Sequence, residues 1–169
     1  MKKKLLVLIV LLSCGITGFA QKYALIDMEY ILKKIPAYEM ANDQLNQVSK
    51  KWQAEVDVLT KEAKDLYTKY QSEMVYLSDD LKTKREAEIL AKEKAAAELK
   101  KTYFGAEGEL FKKRQSLITP IQDEIYNAIK ALSEEGGYML ILDRASGENI
   151  IFASPRIDIS DEVLKKLGY

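Results

Sequence analysis

A serine nucleophile needs a base to take its proton, and neither Ser116 nor Ser133 has one near it in sequence. The 169-residue chain contains no histidine, so no imidazole can be brought in from elsewhere in the fold. Carboxylates are plentiful, and two of them could in principle share acid–base work. They sit among lysines at helical spacing, however, as in Glu86, Glu88, Lys92 and Glu93, and again in Glu107, Glu109, Lys112 and Lys113. That spacing makes i,i+4 ion pairs on a solvated helix face. Phosphate-binding glycine loops, the nucleophile-elbow pattern and metal-ligand spacings are all missing from the sequence, and the one cysteine is Cys14. The inventory therefore predicts no enzyme, no cofactor and no metal.

Binding is better provided for than reaction. Of ten tyrosines, Tyr67, Tyr70, Tyr76 and Tyr103 fall in the middle of the chain, and Met74 lies close to Tyr76. Tyrosine offers a large amphipathic contact at low entropic cost, which suits adaptable surfaces. Tyr67, Tyr76, Met74 and Tyr103 are the candidate partner contacts. The basic run Lys112, Lys113 and Arg114, with Lys100 and Lys101 upstream, is diluted by Glu98, Glu107 and Glu109 and reads as solvated helix.

The elements that must carry these residues begin with an export signal. Lys2, Lys3 and Lys4 precede an apolar run from Leu5 to Leu12, and Gly18 and Ala20 place small residues before a cut between Ala20 and Gln21. The run is short for a permanent membrane anchor. A second processing site is open at Leu11-Leu12-Ser13-Cys14-Gly15, where Cys14 would be lipidated. Removing residues 1–20 takes away three lysines and leaves 23 basic against 26 acidic groups, net −3. Such a chain has no overall electrostatic reason to hold nucleic acid. Contact with a membrane is allowed but not required.

From Ala37 to Phe104 there is neither glycine nor proline. Leu45, Val48, Trp52, Val56, Leu59, Ala63, Leu66, Tyr70, Met74 and Leu77 step by three and four along one helix face. Several recur at eleven residues, which predicts a nearly straight or weakly right-handed supercoil. A second stripe runs through Leu81, Ile89, Ala96, Leu99, Tyr103, Ala106, Leu110, Leu117, Ile121, Ile125, Ala128 and Leu132. Its start is poor, because Arg85 and Lys92 fall in it, so this end is expected to be thinly packed and mobile. Ser78 is placed to cap the second helix. A hairpin folding there pairs residues whose numbers add to about 156, an estimate from a short helix–helix connection. Pro36 and Pro120 fall at matching heights on that rule, and Gly105 and Gly108 mark a soft point.

Three β-type runs flank the hairpin: Tyr23 to Asp27, Tyr138 to Leu142, and Ile150 to Ala153. A last helix is predicted with Ser160 as its cap. The fold class is thus α+β and mostly α, a small β body with a long antiparallel helical hairpin. The divisions are residues 1–20 as signal, 21–36 with 118–169 as body, and 37–117 as hairpin with its tip near 76–80. So few short strands cannot bury a core alone, which predicts self-association of the bodies through Leu25, Ile26, Leu140, Leu142, Ile150 and Phe152.

The opening YALIDMEYILKKI, the charged hairpin, the segment ITPIQDEIYNAIKAL, the strands YMLILD and IIFAS, and the closing DISDEVLKKL together resemble the Skp/OmpH family of periplasmic chaperones from Lys22 to Leu167. The resemblance implies a periplasmic homotrimer with hairpins as tentacles. It would hold unfolded outer-membrane β-barrel proteins without ATP before their assembly. This chain departs from the strongly basic members of the family. Residues 37–78 carry 5 basic and 7 acidic groups, and residues 79–114 carry 10 and 8. Near-neutral tentacles put electrostatic capture and any lipopolysaccharide site in doubt, and no lipid-binding residues are carried over. A structural or adaptor coiled coil of the envelope, anchored through Cys14, is the alternative reading.

Overall fold

The computed structural model describes residues 22–146 and 150–169. The signal, the cut at Ala20 and Gln21, and Cys14 lie outside the described residues. The chain divides into two compact units, Leu32–Tyr126 and the joined segments 22–31 and 127–169.

The hairpin unit starts in α1 (Met28–Lys34), breaks at Ile35, and continues into α2 (Pro36–Glu73). Pro36 stands at the first turn of α2, where its missing N–H costs nothing and its fixed φ suits a helix start. The 38 residues of α2 reach about 57 Å at the helical rise. A turn over Met74–Ser78 leads to α3 (Asp79–Phe104). Ser78 occupies the cap position without a side-chain cap bond, so Asp79 and Asp80 in the first turn supply the favourable charge. Then comes a break at Gly105–Gly108, and α4 (Glu109–Gly136) carries the chain out of this unit. Pro120 lies inside α4 without interrupting it. One proline thus begins a helix and the other lies within one.

The interruption in the second limb comes from glycines. The Gly105 N–H bonds to the Lys101 carbonyl at 2.8 Å and closes α3. A Cβ on Gly105 would lie 2.4 Å from that same oxygen, and one on Gly108 would lie 2.8 Å from three backbone atoms. Only glycine fits so tight a return. Gly105→Ala is expected to cost about 1–3 kcal/mol, seen as a lower urea midpoint with an unchanged slope.

The seam follows the predicted stripe. Leu45, Val56 and Ala63 on α2, and Ile89 and Ala96 on α3, are buried. Val48, Trp52, Leu59, Leu66 and Tyr70 are half-buried, while Met74 is exposed. Polar bonds between limbs supplement this thin apolar contact. Tyr70 donates to Glu86, Lys92 pairs with Glu62 at 2.7 Å, and Tyr103 donates to Glu55 at 2.5 Å while its ring stacks on Trp52 with centroids 4.8 Å apart. Lys92 thus belongs in the stripe because it has a partner across it.

The body unit pairs β1 (Lys22–Ile26) with β2 (Tyr138–Asp143) in parallel. A 3-10 turn (Pro155–Ile157) and α5 (Ser160–Leu167) complete it. Gly137, at φ 66°, makes the left-handed step from α4 into β2. Ala24, Leu25, Ile26, Ile31, Ala128, Ile159, Val163 and Leu164 form its core. The expected third strand over Ile150–Ala153 does not form; those residues belong to no regular element, and a single bridge from Leu25 to Asp158 takes the edge of β1 instead. A strand needs a neighbour, and among the described residues the chain supplies none for this run. Ser160 also shifts role. It begins α5 rather than capping it, and its Oγ accepts from the Asp27 N–H at 2.8 Å and donates to Asp158 at 2.6 Å.

Asp143 ties β2 to the start of α1. Burial pushes its carboxyl up, but the N–H groups of Met28 and Ala145, together with Ser146, outweigh that and hold it below the usual value. A depressed carboxylate stabilises fully above its unfolded value of about 3.9 and loses that contribution as pH falls through its folded value. The unfolding midpoint is expected to fall more steeply on acidification below about pH 4 in the wild type than in Asp143→Asn.

Candidate functional site: the hairpin flanks and the open strand edge

The partner-contact candidates stand in different environments. Tyr103 is held in the seam by Trp52 and Glu55, and its bond to Glu55 raises the phenol above its ordinary value. Tyr67 lies half-exposed on the flank of α2 and accepts from Gln71 at 3.0 Å. Met74 and Tyr76 form the tip with Val75, and Tyr76 is 89% exposed. The helices do not bring these four into one cluster. Tyr67 instead joins a shallow trough of about 410 Å³ where Ala63 faces Ala96 and Ala97, because small side chains leave room between the limbs. Sequence reading passed over Val58, Leu90 and Phe111, which are also exposed. Their signal was available: each is a large apolar residue standing off the stripe.

The body residues named for self-association separate into two groups. Leu25 and Ile26 are buried in the single chain. Leu140, Leu142 and Phe152 are exposed, and Ile150 is half-buried. Met139 and Ile151, which is fully exposed, add to the apolar side chains left in water on the two-stranded sheet and on the irregular run 150–153. Two strands alone are marginal in water.

Around the sheet a polar network ties together the segments that flank β1 and β2. Arg144 bonds Asp27 at 3.2 Å and Asp158 at 3.1 Å, and Tyr30 donates to Asp161 at 2.9 Å. Each carboxylate here is bound to a neighbouring group of the fold, and the described residues contain no cluster of three or more metal-binding side chains. No described helix is long and apolar enough to cross a membrane. The arrangement can make many dispersed apolar and aromatic contacts.

Residues 22–167 match the family model for outer membrane protein, OmpH-like. Among solved structures, the chain is similar to a candidate outer membrane chaperone (OmpH-like) from Caulobacter crescentus CB15. The two are 16% identical with a TM-score of 0.65, over 87% of this chain and 83% of that one. At this identity the likeness speaks for the fold. No curated protein matches the chain.

Proposed function

The chain belongs to the OmpH-like outer membrane protein family, and from that membership we propose that it is an ATP-independent holdase chaperone of the periplasm. Its clients are unfolded outer-membrane β-barrel proteins. The observation that carries the reading is the distribution of exposed apolar side chains along the hairpin: Val58, Tyr67 and Leu90 on the limbs and Met74, Val75 and Tyr76 at the tip. A barrel protein without its bilayer exposes the apolar outer faces of its strands. Many weak, separated contacts shield such faces and still release them, because no single contact holds the client. Tyr67, Tyr76, Met74 and the edge of Tyr103 are the proposed contacts, and the tip at Met74–Ser78 makes the first of them. With limbs close to neutral, capture rests on these contacts rather than on net charge.

The working form is a homotrimer in this reading, joined through the body. The exposed Leu140 and Leu142 on β2, with Ile151 and Phe152 on the irregular run 150–153, support it, since so many large apolar side chains in a small body ask for cover. Processing between Ala20 and Gln21 would deliver the protein to the periplasm, and residues 37–117 would act as the tentacle of each copy.

The test is dilution of a urea-denatured outer-membrane barrel protein into buffer with and without the chaperone. Light scattering should be suppressed at near-stoichiometric ratio and without nucleotide. Undiminished aggregation at excess chaperone would sink the proposal. Native mass of the exported protein reports the cleavage site, any acyl group on Cys14, and the number of copies in one measurement.

A further inference from the structure

One groove on the hairpin unit differs from the rest of its surface. It lies where α4 runs beside the Ile35 break between α1 and α2, and it holds about 200 Å³. Leu32, Tyr38, Phe111 and Ile118 supply its apolar wall, and Arg114 is the one charged side chain that lines it. Phe111 stands off the packing stripe and is 46% exposed, so the seam makes no use of this ring. Lys112 is paired with Glu109, whereas Arg114 enters no ion pair among the described residues.

Size and charge together define what fits. The space accommodates one ring-sized side chain, with two aromatic walls to pack against it. The guanidinium complements a single carboxylate close to that ring and can bond it in bidentate fashion. A free chain end is a poor fit: terminal carboxylates are held by open backbone N–H groups, and the flanks of helices have theirs already bonded. We infer that the groove receives an aromatic side chain within a bound unfolded polypeptide that has an aspartate or glutamate beside it in sequence. The inference rests on the holdase reading and names the class of client segment that one site prefers.

The probes are four labelled peptides: acetyl-Gly-Phe-Asp-Gly amide, its Phe-Asn and Ala-Asp analogues, and Gly-Gly-Phe with a free carboxylate. Binding is followed by fluorescence anisotropy on the full protein in its native assembly. The Phe-Asp peptide is expected to bind about tenfold more tightly than the Phe-Asn one, as a charge-assisted bond provides. Arg114→Gln should erase that difference and leave Phe-Asn binding unchanged, whereas Lys113→Gln, which removes the same charge next door, should preserve it. Phe111→Ala should weaken Phe-Asp and Phe-Asn alike and leave Ala-Asp unaffected.

Equal binding of Phe-Asp and Phe-Asn overturns the proposal, as does absence of saturable Phe-Asp binding. A preference that survives Arg114→Gln, or is lost equally in Lys113→Gln, reduces it to general electrostatics and also overturns it. Tighter binding of the free-carboxylate peptide than of Phe-Asp overturns the choice of an internal segment. Suppression of barrel-protein aggregation is scored separately. Suppression without a Phe-Asp preference removes the groove assignment and leaves the holdase, while a preference without suppression removes the holdase.

Discussion

Replacing Ile151 and Phe152 together by aspartate is expected to dissolve the proposed trimer into single chains. In one chain Ile151 is 101% and Phe152 85% exposed, so the substitutions remove almost no packing from the chain itself. If copies cover these side chains, the same change places unpaired carboxylates in an apolar interface, at a cost of several kcal/mol in each contact. Light scattering coupled to size exclusion should then report the mass of one copy where the proposed trimer gives three. Helical circular dichroism should largely persist, since α2 and α3 lie in the hairpin unit. Aggregation suppression should collapse, because several hairpins acting together gain avidity that one lacks. Val58→Asp, an equally drastic change on the exposed flank of α2, should leave the mass unchanged. A double variant that stays trimeric would move the interface away from this surface.

Ile125→Ala is expected to lower stability by about 3 kcal/mol, within the usual range of about 2–5 for a large aliphatic cut from a core. Ile125 is fully buried. Leu81→Ala, near the tip, should change stability by no more than about 0.5 kcal/mol, because 48% of Leu81 is already in water. Urea denaturation of the two variants measures the contrast. Against a typical total of about 5–15 kcal/mol, the first loss is severe and the second negligible. Comparable losses at both positions would mean that the tip is packed as firmly as the rest of the hairpin unit.

The hairpin was readable from sequence because its contacts follow one simple rule. The pairs Tyr70–Glu86, Lys92–Glu62, Tyr103–Glu55 and Trp52–Tyr103 all fall within two of the predicted pairing number. A stripe at steps of three and four fixes the face, and a short turn fixes the register. The break at Gly105–Gly108 was visible as two glycines, but its depth was not: that depends on the approach of backbone atoms, which no residue pattern records. The run at Ile150–Ala153 was misread as a strand for the opposite reason. Its composition suits a sheet, and pairing is decided by a partner elsewhere. The groove at Phe111 and Arg114 went unseen because Leu32 and Tyr38, distant in sequence, complete it.

The parallel pairing of β1 with β2 also sets an order of events. Lys22 meets Tyr138, more than a hundred residues later, so the sheet can close only after nearly the whole chain is available to fold. Such distant closure is slow when the intervening chain is loose. The hairpin needs no such wait, as its turn is local and its limbs can zip from Met74–Ser78 outward. Once Leu32 and Gln122 share a groove wall, the remaining gap to each strand is a few residues on one side and a short length of α4 on the other. The long insertion that separates the two strands thus becomes the device that brings them together.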